Sequence, residues 1–154
     1  PCRKHGGDAC PAVDGDNRFH AILGGGPCWI VQPSHAAVAL VALEAHIVIA
    51  AAGGGRTVAA ADFFVLPSVR LDHETVLAPG EWVHAVVIPA ASTGGHQRYH
   101  VAHGDDAPDV VSLAATRRRD REVRLVLGGV APVPWRVYGS IEEDASVGNL
   151  AEDD

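Results

Sequence analysis

Three cysteines, Cys2, Cys10 and Cys28, lie in the first fifth of the chain. An odd count gathered at one end does not make a secreted disulfide framework, and two readings remain: a thiolate cluster or plain buried thiols. A second set is His96, His100 and His103 near Asp105. Zinc takes three or four such ligands at spacings fixed by a helix or hairpin. On a strand His100 and His103 point to opposite faces, which argues against a shared ion. His20, His46, His73 and His84 read as scattered surface or half-buried residues, and neither a Ser-His-Asp set nor paired carboxylates stand out for hydrolysis. The third feature is the turn Gly24-Gly25-Gly26, followed by Pro33-Ser34 and a long apolar run. Glycine lets backbone N–H groups approach a ligand closely. A helix starting just after such a turn adds free N–H groups and a partial positive charge. Together these suit a phosphate or pyrophosphate, although by itself the triplet reads first as a mobile turn.

The elements that would hold these residues follow from patterning. Pro1 to Asn17 is loop by composition, and Phe19–Leu23 reads as a short strand leading into the glycine turn. Ser34 is a good N-cap for a helix from His35 to about Glu44, apolar on every side and therefore expected to be buried. His46–Ala51 is β-branched, turns at Gly53-Gly54-Gly55 and returns over Arg56–Ala59, a hairpin signature. Residues 60–67 form a short helical or irregular segment ending at proline. Further strands are expected over Glu81–Ile88, Arg98–His103, Val110–Ala115 and Val123–Leu127. The sum is one apolar helix on mostly antiparallel strands, an α+β arrangement.

The chain has 154 residues, 47% hydrophobic but only 5% aromatic, so alanine and valine fill most of the interior. The formal net charge of -7, with acid gathered from Glu142 onward, argues against a nucleic-acid partner, which needs clustered Lys and Arg. The basic run Arg117-Arg118-Arg119 is broken by Asp120 and reads as a solvated turn between strands. No apolar run approaches the length of a membrane span. Methionine is absent, from which a fragment or a processed piece is expected.

The order and spacing of CRKHGGDACPAVDGDNRFHAILGGGPC, PSHAAVALVALEAHIVIA, RTVAAADFFVLP, TVLAPGEWVHAVVIP and VRLVLGGVAPVPWR resemble those of one family. It is the FAD-binding subunits of the molybdenum hydroxylases, of the xanthine dehydrogenase and carbon monoxide dehydrogenase type. The resemblance covers roughly Pro1 to Arg136. It implies the second lobe of a two-lobed, PCMH-type FAD-binding domain, with the start of a small α+β C-terminal domain. Residues 1–90 would be the partial flavin domain, with a cysteine-containing loop over 1–28. Residues 91–140 would be the partial C-terminal domain, and 141–154 an acidic, disordered tail.

Carried over by position, the resemblance assigns FAD binding to Gly24, Gly25, Gly26, Ser34, His35 and Leu66. Gly26 replaces the asparagine of a GGN-type turn, keeping backbone donors and losing a side-chain hydrogen bond. Ser34 keeps the hydroxyl of the family's Ser-Asp pair, while His35 replaces the acid and can donate as well as accept. Leu66 falls where the family places an apolar side chain near the isoalloxazine ring; in its own context it reads equally as core filler. One branch of the family holds a [4Fe–4S] cluster on four cysteines, and Cys2, Cys10 and Cys28 match the last three ligands. Three thiolates leave one iron to water or another donor, so the chain alone is expected to hold a cluster poorly. Arg98-Tyr99-His100-Val101 resembles a segment that normally continues with a lysine and an arginine, which are missing here.

The function implied is an electron-transfer module. Electrons reach FAD from the [2Fe–2S] centres of a small subunit, after hydroxylation at the molybdenum cofactor of a large subunit, and pass on to NAD or another acceptor. The implied location is cytoplasmic, or periplasmic by export with a partner. Two other readings stay open: a non-catalytic remnant that folds without flavin, and a small metal-binding protein using its Cys and His residues.

Overall fold

The computed structural model describes residues 1–90, 93–102, 109–118 and 123–137, with side chains described for 1–90, 110–117 and 123–137. The acidic tail, Asp105 and His103 fall outside these residues, as do the side chains of His96 and His100, and with them the histidine constellation.

The expected helix forms as α2 (His35–Ala42), after a one-turn helix α1 (Pro11–Asp14). Ser34 starts α2 in an extended conformation, its hydroxyl oxygen accepting from the Ala37 amide at 3.2 Å. The helix stops two residues earlier than its apolar pattern suggests. Glu44 takes a left-handed φ of 56°, the Glu44 amide bonds Val41 O, and the Ala45 amide bonds Leu40 O at 2.9 Å. This is a Schellman closure built on glutamate instead of glycine. The helix is also less enclosed than expected. Ala37, Val38, Val41 and Ala42 are buried, whereas Ala36 is exposed and Ala39, Leu40 and Leu43 are half-buried. Small alanines on the outer side make the sequence look apolar all round without requiring burial there.

Two antiparallel sheets lie against this helix and the single turn α3 (Ala60–Phe63). The first comprises β1 (His46–Ala51), β2 (Gly54–Ala59) and β3 (Trp82–Val87), in the order β2-β1-β3. The second comprises β4 (Thr93–Ala102), β5 (Asp109–Arg118), β6 (Val123–Gly128) and β7 (Trp135–Val137), in chain order. Arg117 and Arg118 therefore lie in a strand, paired with Gly95 and Thr93, and not in a turn. The architecture is α+β, as the pattern implies.

One buried cluster joins both sheets: Val38, Val41, Ala42, Ile47, Ile49, Phe63, Ala114 and Val126 belong to it. The C-terminus of α2 is tied to the second sheet by polar contacts as well. The Thr116 hydroxyl and Arg124 Nη1 each donate to Ala42 O at 3.1 Å, and Arg124 Nη2 stands 3.0 Å from a Glu44 carboxylate oxygen. These donors satisfy a carbonyl that the helix end would otherwise leave without a partner. In the first sheet, β3 is one of the two edge strands, and Trp82, Val83, Val86, Val87 and the following Ile88 are exposed on both its faces.

The glycine turn as a candidate flavin site

Phe19–Leu23, expected as a strand, is not one. Its end is held instead by the loop after β6, where the Ile22 and Leu23 amides both donate to Val130 O, at 2.9 and 3.0 Å. The Gln32 amide bonds Ala131 O at 2.8 Å, and Gly129 returns an amide to Gln32 O at 3.0 Å. The segment from Ala21 to Gln32 is thus an Ω-shaped loop clamped at both ends to residues 129–131, with Ala21, Val130 and Ala131 buried beneath it. Gly129 makes the clamp possible. Its φ is 79°, and a Cβ there would lie 2.2 Å from Val110 O, closer than any side chain tolerates.

The tip of this loop carries Gly24, Gly25 and Gly26. Gly24 sits at a φ of 59°, and a Cβ on it would come within 2.8 Å of Trp135 Cζ3 and 3.1 Å of Leu66 Cδ2. A Cβ on Gly25 would stand 2.3 Å from Trp29 Cε3. The turn is therefore glycine because two indoles lie against it. Trp29 covers Gly25 and Gly26, while Trp135 and Leu66 cover Gly24.

The expectation that all three glycine amides are available needs correction. The Gly26 amide donates to Cys28 O at 3.0 Å. The Gly24 and Gly25 amides make no hydrogen bond to the described residues. Half-buried backbone donors without a partner call for water or a ligand. Gly24, Leu66 and Trp135 are all half-buried, so each also keeps part of its surface open.

The structure does not gather every predicted residue here. The Ser34 amide is engaged by Gln32 Oε1 at 3.1 Å. Its hydroxyl oxygen accepts from Ala37, and the hydroxyl proton is left to donate. His35 lines a separate apolar cavity of about 190 Å³ between α2 and β5, with Val38, Leu43 and Leu113 among its walls. Neither the glycine turn nor Leu66 borders that cavity. A second cavity, of about 340 Å³, opens beside the loop between Trp29, Ile22, Val13, Asn17 and His20. The His20 Nδ1 atom is buried with no hydrogen-bond partner among the described residues.

The three cysteines are not drawn together as a metal-binding group among the described residues. All three are free thiols, half-buried, and among the described residues no three His, Cys, Asp or Glu side chains come close enough to hold a metal. Cys2 is paired instead with His5, Sγ to Nδ1 at 3.2 Å. That hydrogen bond holds the Cys2 thiol below its ordinary range. A short 3-10 turn over Arg3–His5 creates the pairing, and the Lys4–Glu74 ion pair anchors the loop to the segment before β3.

Glu81 is the most strongly perturbed of the described carboxylates. Arg56 grips it with Nε to Oε1 at 3.0 Å and Nη2 to Oε2 at 2.8 Å, and the Ala78 amide adds a bond of 2.8 Å. The guanidinium first, and then that amide, hold its carboxyl down at about 2. The group joins β2 to the entrance of β3 and ties the segment around Ala78 to both, a structural role.

Several chains of known oxidoreductases share this fold. A chain of quinoline 2-oxidoreductase from Pseudomonas putida 86 superposes with a TM-score of 0.55 at 23% identity, over 69% of this chain and 36% of its own. A chain of the carbon monoxide dehydrogenase from Hydrogenophaga pseudoflava gives 0.56 at 23% identity, over 85% of this chain and 50% of its own. No family model matches the chain. In sequence it is 38% identical, over 141 residues, to the aldehyde oxidoreductase FAD-binding subunit PaoB of Escherichia coli (strain K12). The match takes in 89% of this chain and 44% of that subunit's length. The chain belongs to the family of FAD-binding subunits of the molybdenum hydroxylases.

Trp135, Trp29 and the Val130 carbonyl are what residue-by-residue reasoning missed. The one signal that could have found them is the segment VRLVLGGVAPVPWR, whose Gly-Gly and Pro-rich run announces a loop with work beyond ending a strand.

Proposed function

We propose that this chain forms part of a flavin site and that its job is electron transfer. The observation that carries the reading is that the Gly24 and Gly25 amides, beside half-buried Leu66, are not engaged by any described residue, in a chain of the flavoprotein family. Bound FAD supplies the centre that accepts and passes on electrons. The residues of this chain bind and orient it. The two amides donate to its polar edge, Leu66 excludes water from the ring, and Ser34 offers its remaining hydroxyl proton. None of them needs to act as an acid or base. The finer reading places the chain beside a large molybdenum-cofactor subunit and a small [2Fe–2S] subunit, from whose iron–sulfur centres electrons pass through FAD to an acceptor. The apolar, doubly exposed strand β3 supports an assembled state, since such patches mark contact surfaces.

Equilibrium dialysis of the purified chain against FAD tests this. Retention of FAD, lost in Gly24→Ala, is the expected result, and no retention by the unaltered chain refutes it. A second reading, a folded chain that takes no flavin, is favoured by the internal bond of the Gly26 amide and by His35 lining another cavity. It predicts the negative dialysis result with a cooperative unfolding transition intact.

A further inference from the structure

The chain has three tryptophans, and they are not distributed evenly around the candidate site. Trp82 stands exposed on β3, an edge strand. Trp29 lies over Gly25 and Gly26 and also lines the 340 Å³ cavity. Trp135 alone shares Gly24 with Leu66: both reach the position a Cβ would occupy there, at 2.8 and 3.1 Å.

The three residues come from distant parts of the chain. Gly24 is at the loop tip, Leu66 follows α3, and Trp135 opens β7. They converge because Val130 and Ala131, just before β7, clamp the loop. A half-buried indole beside a half-buried leucine and an amide with no partner among the described residues offers an aromatic edge, an apolar wall and one polar donor. That combination suits a planar heteroaromatic ring with a hydrogen-bond acceptor on its rim.

The geometry points to Trp135 as the residue that, with Leu66, receives the ring of the flavin next to the Gly24 amide. This rests on the flavin reading above and goes beyond it by assigning an aromatic contact from the second sheet. An indole touching a flavin leaves a signature that a purely structural indole does not. On excitation, one electron passes from the indole to the flavin ring and then returns, so nothing is consumed and the flavin's emission is quenched.

The experiment is time-resolved emission of FAD bound to the full chain, compared with Trp135→Phe, Trp29→Phe and Trp82→Phe. Bound FAD in the unaltered chain is expected to be strongly quenched. Trp135→Phe, which keeps an aromatic ring for packing, should raise bound-FAD emission several-fold, while Trp82→Phe leaves it unchanged. Trp135→Leu should weaken FAD binding by roughly 2- to 10-fold through lost ring contact. Emission unaltered in a folded Trp135→Phe chain that binds FAD overturns the assignment, as does quenching relieved by Trp29→Phe instead. If the unaltered chain binds no FAD, the flavin reading has failed and this assignment with it, a result recognisable before any variant is compared.

Discussion

Replacing Gly24 by alanine adds one methyl group and tests whether the loop tip is packed as described. At a φ of 59° an alanine carries the left-handed penalty of about 1–2 kcal/mol. The new Cβ also meets Trp135 Cζ3 at 2.8 Å and Leu66 Cδ2 at 3.1 Å. Relief of that overlap by shifting an indole costs about 1–3 kcal/mol in a packed setting. Because both neighbours are half-buried and have somewhere to go, the lower part of that range applies, giving roughly 2–4 kcal/mol in all. For a domain of this size that lowers Tm by about 4–16 °C. Denaturant unfolding followed by circular dichroism measures it, with Gly53→Ala as the control. Gly53 is in a turn with nothing within 4 Å of a built Cβ, so that change should stay within about 0.5 kcal/mol. Repeating Gly24→Ala in a Trp135→Phe background removes the colliding ring edge and should return about 0.5 kcal/mol or more, the scale of coupling between touching residues. Equal costs at positions 24 and 53, or no coupling with Trp135, would refute the packing.

Glu81 gives a pH prediction. Its carboxyl falls from an ordinary 4.5 to about 2 in the folded chain. The stabilisation is therefore complete above about pH 4.5 and lost as pH falls toward 2. The Tm gap between the natural chain and Glu81→Gln should close over that window, and a gap that does not change with pH contradicts the Arg56 grip. Thr116→Val removes one of two donors to the Ala42 carbonyl. With Arg124 still bonded there, urea unfolding should show a loss of about 0.5–1.5 kcal/mol. A loss well above that range would mean Arg124 does not share the carbonyl.

Much of the framework was legible because it is written locally. The β-branched run His46–Ala51, the Gly53–Gly55 turn and the run in Glu81–Ile88 each specify a strand or turn from their own residues, and the structure forms β1, β2 and β3 there. Ser34 announced α2 by the same local logic. Where the reading failed, the deciding partner was remote. Phe19–Leu23 has strand-like residues, but Ile22 and Leu23 bond to Val130, more than a hundred positions away. The end of α2 depends on Glu44 accepting a left-handed conformation, supported by Arg124 from β6. The three-residue strand β7 is too short to show a period. The glycine triplet was recognisable as a turn. That two indoles require it, and that two of its three amides have no partner among the described residues, follows from tertiary packing, which no local pattern encodes.

If Gly24 and Gly25 offer their amides to FAD, amide NMR of the isotopically labelled chain during an FAD titration reads those two groups individually. The predicted result is that the Gly24 and Gly25 resonances move furthest, with Leu23 and Gly26, already bonded within the chain, moving less. Saturation with FAD while Gly24 and Gly25 stay in place, or with the shifts confined to residues away from the loop, would contradict it.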